Sequence, residues 1–304
     1  MAYSKGDVIT AATLNGFLTT MRTVYGQGTG DRGYGMTTIT QADVVAAAVI
    51  NSAHWTNLRG MMANVATHQG SVSTIVPANL LEVTDVITAH ETGSPSLNAY
   101  DLDSIVTELD TNRLTAAAGG MTLTSAHGTV TRATAWTSID GAIKVDFGSE
   151  DAARYFFNSG GEIRVRFAHP DGVSDRDDAW RTMFTSIGTL AIKARSSTRS
   201  GAISTSFLDA TKGYYTLTDT NQPILNGLNI GGGAYASNDI VVSAKTETIA
   251  SVRGANGSAL TVTAALADQS GGADVNSGTQ MIIDIYRATG IGIVLPTLTT
   301  PDGF

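Results

Sequence analysis

The 304-residue sequence contains no cysteine. Disulfide bonds, thiolate zinc sites and cysteine nucleophiles are excluded together, although such a chain folds in either redox environment. Charge is scarce as well. Asp, Glu, Lys and Arg make up 15% of the residues, against about a quarter in an ordinary soluble domain. Much of the surface must then be Thr, Ser, Asn, Gly and Ala, which suits a chain packed into an assembly. The charge present leans acidic, 27 acidic against 19 basic residues for a net −8, with no basic cluster. Nucleic-acid phosphates and anionic membranes call for concentrated Lys and Arg, so neither is an expected partner. Long apolar runs are also missing. Val44–Ile50 and Ile291–Leu295 fall far short of the roughly 18 residues a membrane span requires. The opening Met1–Asp7 lacks the apolar core of a signal peptide, and synthesis in a cytoplasm without secretory export is the expectation.

A hydrophobic content of 42% supplies sizeable cores and argues against disorder. The length exceeds what one core usually fills, so two domains are expected: a helical docking module over 1–115 and a β-sandwich-like domain over 116–304. In the first, Thr10–Tyr25 places Leu14, Phe17, Leu18, Met21 and Val24 at helical spacing, and Ser52–His68 does the same with Trp55, Leu58, Met61, Met62 and Val65. A third helix is expected from Leu97 to about Leu114, with Leu102, Ile105, Val106 and Leu109 inward. The openings Ile9–Asn15 and Ile50–Thr56 look like a weak internal duplication, with Thr10 and Ser52 as expected N-caps. After the Ala-Gly stretch Thr115–Gly120, two-residue alternation takes over. It marks strands at Ile143–Phe147, Ile163–Phe167, Tyr214–Thr218, Asp239–Ala244, Leu260–Thr263 and Met281–Tyr286. Two short helices, Glu150–Asn158 and Asp177–Ile187, interrupt them. The expected class is α+β: a small N-terminal helical module, then a mainly antiparallel β-sandwich with two inserted helices.

Residue patterns that could carry chemistry each have a plainer reading. Gly28-Thr29-Gly30-Asp31-Arg32-Gly33 matches G-x-G-x-x-G, but that fingerprint needs a strand before it and a helix after it. Here the glycines follow a helix and read as a tightly turned connector or a contact loop between subunits. The acidic stretch Asp171–Asp178 lacks the spacing of a calcium loop; an irregular cation site stays open, beside a role for Asp177 and Asp178 at a helix start. The five histidines, His54, His68, His90, His127 and His169, share no metal-ligand spacing. There is no G-x-S-x-G elbow, and acidic pairs such as Asp101 and Asp103 read as solvated. No catalytic, cofactor-binding or metal-binding residue is assigned, and no cofactor is expected. Tyr155-Phe156-Phe157 point in different directions on a helix, so either that helix is buried on most sides or one aromatic lies at a subunit contact. Tyr214, Tyr215 and Tyr235 offer a sugar-stacking surface or ordinary packing.

Three phrases carry a family resemblance: Tyr25-Gly26 through Gly33-Tyr34-Gly35; Ile50 through Trp55 and Leu58 to His68-Gln69-Gly70; and Ala152 through Arg164, followed by Trp180 and Ile187-Gly188-Thr189-Leu190. Together they resemble virion structural proteins of tailed bacteriophages, of the marine or cyanobacterial type, associated with tail, baseplate or neck. The resemblance implies a non-enzymatic virion component, made in the host cytoplasm, whose partners are copies of itself and other virion proteins; closed symmetry is the expected mode of assembly, with trimer and hexamer as the orders considered. A receptor-binding fibre or adhesin recognising host glycan is the alternative it leaves. Tyr25, Tyr34, Trp55, Tyr155, Phe156 and Phe157 are the candidate subunit contacts.

Overall fold

The computed structural model describes residues 10–37, 40–45, 48–70, 99–170, 172, 174–202, 208–227, 233–247, 253–302 and 304. It is an α+β chain that divides into two compact units. One comprises the chain up to Met121 together with Ala288–Gly292; the other comprises Thr122–Arg287 and Ile293–Phe304. The boundary thus lies six residues beyond the expected 115, and five residues near the C-terminus return to the helical unit.

The helical unit consists of α1 (Ala11–Tyr25), α2 (Ser52–Gln69) and α3 (Ala99–Thr111). The apolar stripes read from periodicity are the buried residues: Leu14, Phe17, Leu18, Met21 and Val24 on α1; Trp55, Leu58, Met61, Met62 and Val65 on α2; Leu102, Ile105, Val106 and Leu109 on α3. The Thr10 side chain caps α1 by accepting from the Thr13 amide at 3.2 Å. At α2 the expected cap is corrected. Asn51, not Ser52, takes the role, accepting from the His54 amide while His54 Nδ1 accepts from the Asn51 amide. An amide side chain reaches the third helical N–H as well as a hydroxyl does, and Asn51 is the residue aligned with Thr10 when the two openings are superposed. Gly70, left-handed at φ +80°, closes α2. Of the expected third helix, Leu97 and Asn98 lie outside the described residues.

The second unit holds two five-stranded antiparallel sheets. The first has the order β1 (Met121–Thr131), β9 (Gln280–Ala288), β3 (Glu162–Ala168), β4 (Leu190–Ile192), β5 (Ser197–Arg199). The second runs β10 (Thr297–Asp302), β2 (Ser138–Asp146), β8 (Ala259–Ala267), β7 (Asp239–Thr246), β6 (Gln222–Asn226). Alternation places one face of each sheet inside. In the second sheet, register aligns Ile143 with Val262 and Val262 with Ala244, then Ile139 with Leu266 and Leu266 with Ile240, all buried. In the first, Ile163, Val165 and Phe167 oppose Ile285, Ile283 and Met281. Each such Ile, Val or Phe removed from water stabilises the fold by about 1.5–3 kcal/mol.

The two inserted helices are α4 (Glu150–Asn158), capped by Ser149, and α5 (Asp175–Ile187), capped by Ser174. Helix α5 begins two residues earlier than the apolar pattern indicates and lays Trp180, Met183, Phe184 and Ile187 inward. The expected strand Tyr214–Thr218 is instead a turn. Both Thr216 and Leu217 amides donate to Gly213 O, and Thr216 Oγ1 accepts from the Gly213 amide. A threonine hydroxyl that satisfies backbone groups locally competes with a ladder, and Tyr214 is fixed by its hydroxyl donating 2.5 Å to Gly257 O.

Candidate functional site

The glycine loop after α1 is the first place to look for a binding function. Gly28, Gly30 and Gly33 have positive φ, +43°, +56° and +104°. A Cβ on Gly33 would meet the Gln27 carbonyl oxygen at 2.5 Å, so the chain turns too tightly there for any side chain. The two charged residues between the glycines reach α3. Arg32 binds Asp110 through two parallel hydrogen bonds of 2.7 Å, Nε to Oδ1 and Nη2 to Oδ2. Asp31 pairs with Arg113 at 2.7 Å. Tyr34 OH donates to Arg113 O at 2.9 Å and accepts from Gln69 Nε2 at 3.0 Å, while Gln69 also donates to Leu109 O. Burial pushes the Tyr34 hydroxyl pKa above the ordinary tyrosine range, and the Asp110 carboxylate beside it raises that of Arg32. The loop is a clamp that fastens α1 and α2 to the end of α3. It follows a helix, as the sequence indicated, and it is not the strand-to-helix turn that cradles pyrophosphate.

The second place is the acidic stretch before α5, where Asp171 and Val173 lie outside the described residues. Asp177, in the first turn of α5, is buried. Its carboxylate accepts from the Asn276 amide (3.0 Å), Asn276 Nδ2 (2.6 Å) and the Ser174 hydroxyl (2.8 Å), and lies 3.2 Å from His169 Nε2. His169 Nδ1 is 2.8 Å from Thr279 Oγ1, which accepts 2.9 Å from Trp136 Nε1. Burial lowers the His169 pKa, so the ring is neutral and its tautomer follows from the partners. Asp177, an acceptor only, takes the Nε2 proton; Nδ1 accepts from the Thr279 hydroxyl. Burial alone would raise the Asp177 pKa, yet the Asn276 and Ser174 donors together with His169 hold it below the usual carboxylate value. Thr, His and Asp in one hydrogen-bonded chain mimic a nucleophile relay. Here all three are buried, and the Thr279 oxygen is engaged by an indole. The chain Trp136–Thr279–His169–Asp177–Asn276 ties α5 to the segments that lead into β2 and β9 and out of β3. Among the described residues no group of three or more His, Asp or Glu side chains converges to hold a metal ion.

The six candidate contact residues separate by burial. Phe156 and Phe157 are fully buried in α4, where Phe157 stacks on Tyr214 (4.5 Å, 13°) and both meet Phe147. Tyr34 and Trp55 lie in the core of the helical unit. Those four side chains are consumed within their own units and leave no surface for a partner. Tyr25 and Tyr155 keep part of theirs; Tyr25 OH accepts from Asn64 and Tyr155 OH from Arg253. Helix α4 is therefore the kind buried on most sides: Ala153, Arg154, Phe156, Phe157 and Asn158 all face inward. Tyr214, one of the tyrosines with a possible sugar-stacking role, is buried as well.

The sequence did not point to Thr279, Asn276 or Trp136, whose partners lie up to 143 positions away. No local spacing encodes such contacts. Among the described residues no helix is long and apolar enough to cross a membrane. No protein-family model matches the chain, and no match was found among the curated proteins or among the solved structures.

Proposed function

We propose that the chain is a non-enzymatic structural subunit of a tailed-phage virion, assembling with copies of itself and with neighbouring proteins at the tail, baseplate or neck. The observation that carries this reading is the use made of the polar side chains in the glycine loop and around Asp177. Asp31, Arg32, Tyr34, His169, Asp177 and Thr279 are all engaged in fastening one element to another. A low-charge surface and the three family-like phrases support the same reading, since faces with few charges lose little hydration when they pack against other subunits. The test is to locate the chain in purified particles by density mapping and labelled antibody. The expected result is a fixed copy number at the tail, baseplate or neck, matching the local rotational symmetry. A chain absent from washed particles, or one free in solution that turns over a metabolite, overturns the proposal.

A further inference from the structure

The β-rich unit has two open sheet edges on one side and closes the other. On the closed side, residues 208–218 bridge both sheets. Ser197 of β5 donates to Ala210 O, Tyr214 and Tyr215 amides donate to Lys193 O and Ala194 O, Asp209 donates to Ile224 O of β6, and Thr246 donates to Thr218 O. Leu208 also pairs with Leu225. Across the molecule, β1 ends the first sheet and β10 ends the second. These two strands touch without pairing. His127 Nε2 lies 2.9 Å from Pro296 O, and a Cβ on Gly128 would collide with Leu298. Among the described residues no further strand lies on either edge.

Proteins usually protect such edges with charge, proline or brevity. Strand β1 has 11 residues, not one of them fully buried, and contains neither charge nor proline. Its only blunting device is Ala126, whose φ of +48° turns its amide onto Asp284. The neighbouring chain of the same unit shares the lack of charge: Thr122–Thr131 and Ile293–Pro301 contain no Asp, Glu, Lys or Arg. Among the described residues of this unit the exposed large apolar side chains are Leu123 of β1, at 45%, and Val294, at 76%, two residues before the Pro296 that meets His127 of β1.

We infer that the β1 edge is a self-association surface, on which β1 of a second copy adds as an antiparallel strand about a two-fold axis. The inference rests on the assembly reading above and assigns it a surface. The occupant follows from charge. Each copy carries a net −8, so like surfaces repel unless they meet where neither bears charge, and the β1 edge with its flanks offers that. An isologous antiparallel pair sets β1 against itself; Leu123 and Val294 then leave water at the same contact.

Sedimentation of the full chain over a wide concentration range, with Leu123→Lys, Val294→Lys and, on the closed side, Thr220→Lys, tests the surface. The wild type and Thr220→Lys are expected to associate, and each edge variant to weaken association at least tenfold with an unchanged circular-dichroism melt. Because the chain has no cysteine, single cysteines placed in turn at Leu123, Ser125 and Thr129 give an independent readout: oxidation is expected to produce a covalent dimer from at least one. Association that persists in both lysine variants, without any cross-link, overturns the inference and leaves the assembly reading standing. A wild type that stays monomeric at every concentration overturns both.

Discussion

His169 and Asp177 meet at 3.2 Å inside the β-rich unit, with both side chains closed to solvent and the imidazole neutral. Both pKa values are lowered in the folded chain, which fixes the direction of the pH effect. A group whose folded pKa is depressed stabilises the fold above its unfolded value and loses that contribution as pH falls toward the folded one. For His169 the loss begins below about 6.5, the ordinary histidine value. Protonating Nδ1 there leaves its new N–H facing a Thr279 oxygen already bonded by Trp136. For Asp177 the loss begins near the ordinary carboxylate pKa, about 3.9. The melting temperature, followed by the fluorescence of the edge-to-face pair Trp136 and Trp180, is expected to fall on acidification from pH 7 to 5. In His169→Gln the same interval is expected to be nearly flat. A wild-type melt independent of pH across that range contradicts the assignment.

The clamp on α3 predicts two different glycine costs within one loop. Gly30 at φ +56° has open space where a Cβ would go, so Gly30→Ala is expected to cost about 1–2 kcal/mol, the left-handed penalty alone. Gly33 at φ +104° has the Gln27 backbone there, and Gly33→Ala is expected to cost more than about 3 kcal/mol, because strain and collision act together. Urea unfolding of the two variants side by side measures the difference. Equal costs would mean that the loop shifts freely and is no clamp.

The Arg32–Asp110 pair is partly exposed, with side-chain exposures of 44% and 21%. Solvent screens such pairs, while the two-pronged geometry strengthens them. A double-mutant cycle with Arg32→Ala and Asp110→Ala is expected to return a coupling of about 0.5–1.5 kcal/mol, reduced in 1 M salt. Zero coupling at low salt would show that the fork contributes no stability.

How much of this was legible beforehand depends on the range of the interactions involved. The core faces of α1, α2 and α3, the extent of α4 and the strand alternation in β3, β7 and β8 follow from periodicity, which local sequence carries directly. The Asn51 cap was within reach too, since aligning the duplicated openings sets it opposite Thr10. Other features were not local. The Tyr214–Thr218 run alternates as a strand does, yet Asn256 Nδ2, 42 positions from Tyr214, bonds the Tyr214 and Leu217 carbonyls and fixes a turn. The bond from Trp136 to Thr279 spans 143 positions. Composition marked the surface as poor in charge, but only the strand order shows that β1 and β10 lie at sheet edges.

Helix α4 supplies the sharpest contrast between packing and contact. Phe157 is fully buried, stacked on Tyr214 and set edge-on to Phe147 and Phe156. Replacing it by Ala removes the ring and leaves a cavity walled by aromatics, which is expected to cost about 3–5 kcal/mol. Tyr155, two residues earlier, is partly exposed and meets Arg253 and Asp151 at its polar end, so Tyr155→Ala is expected to cost about 1 kcal/mol or less. Guanidinium denaturation of the purified chain gives both values, and sedimentation of the same samples adds the second readout. If Tyr155 lies at a subunit contact, its variant loses association while keeping its stability, whereas Phe157→Ala loses stability first. A Phe157→Ala protein as stable as the wild type would mean that the aromatic cluster is loosely packed and that α4 does not anchor the turn into β3.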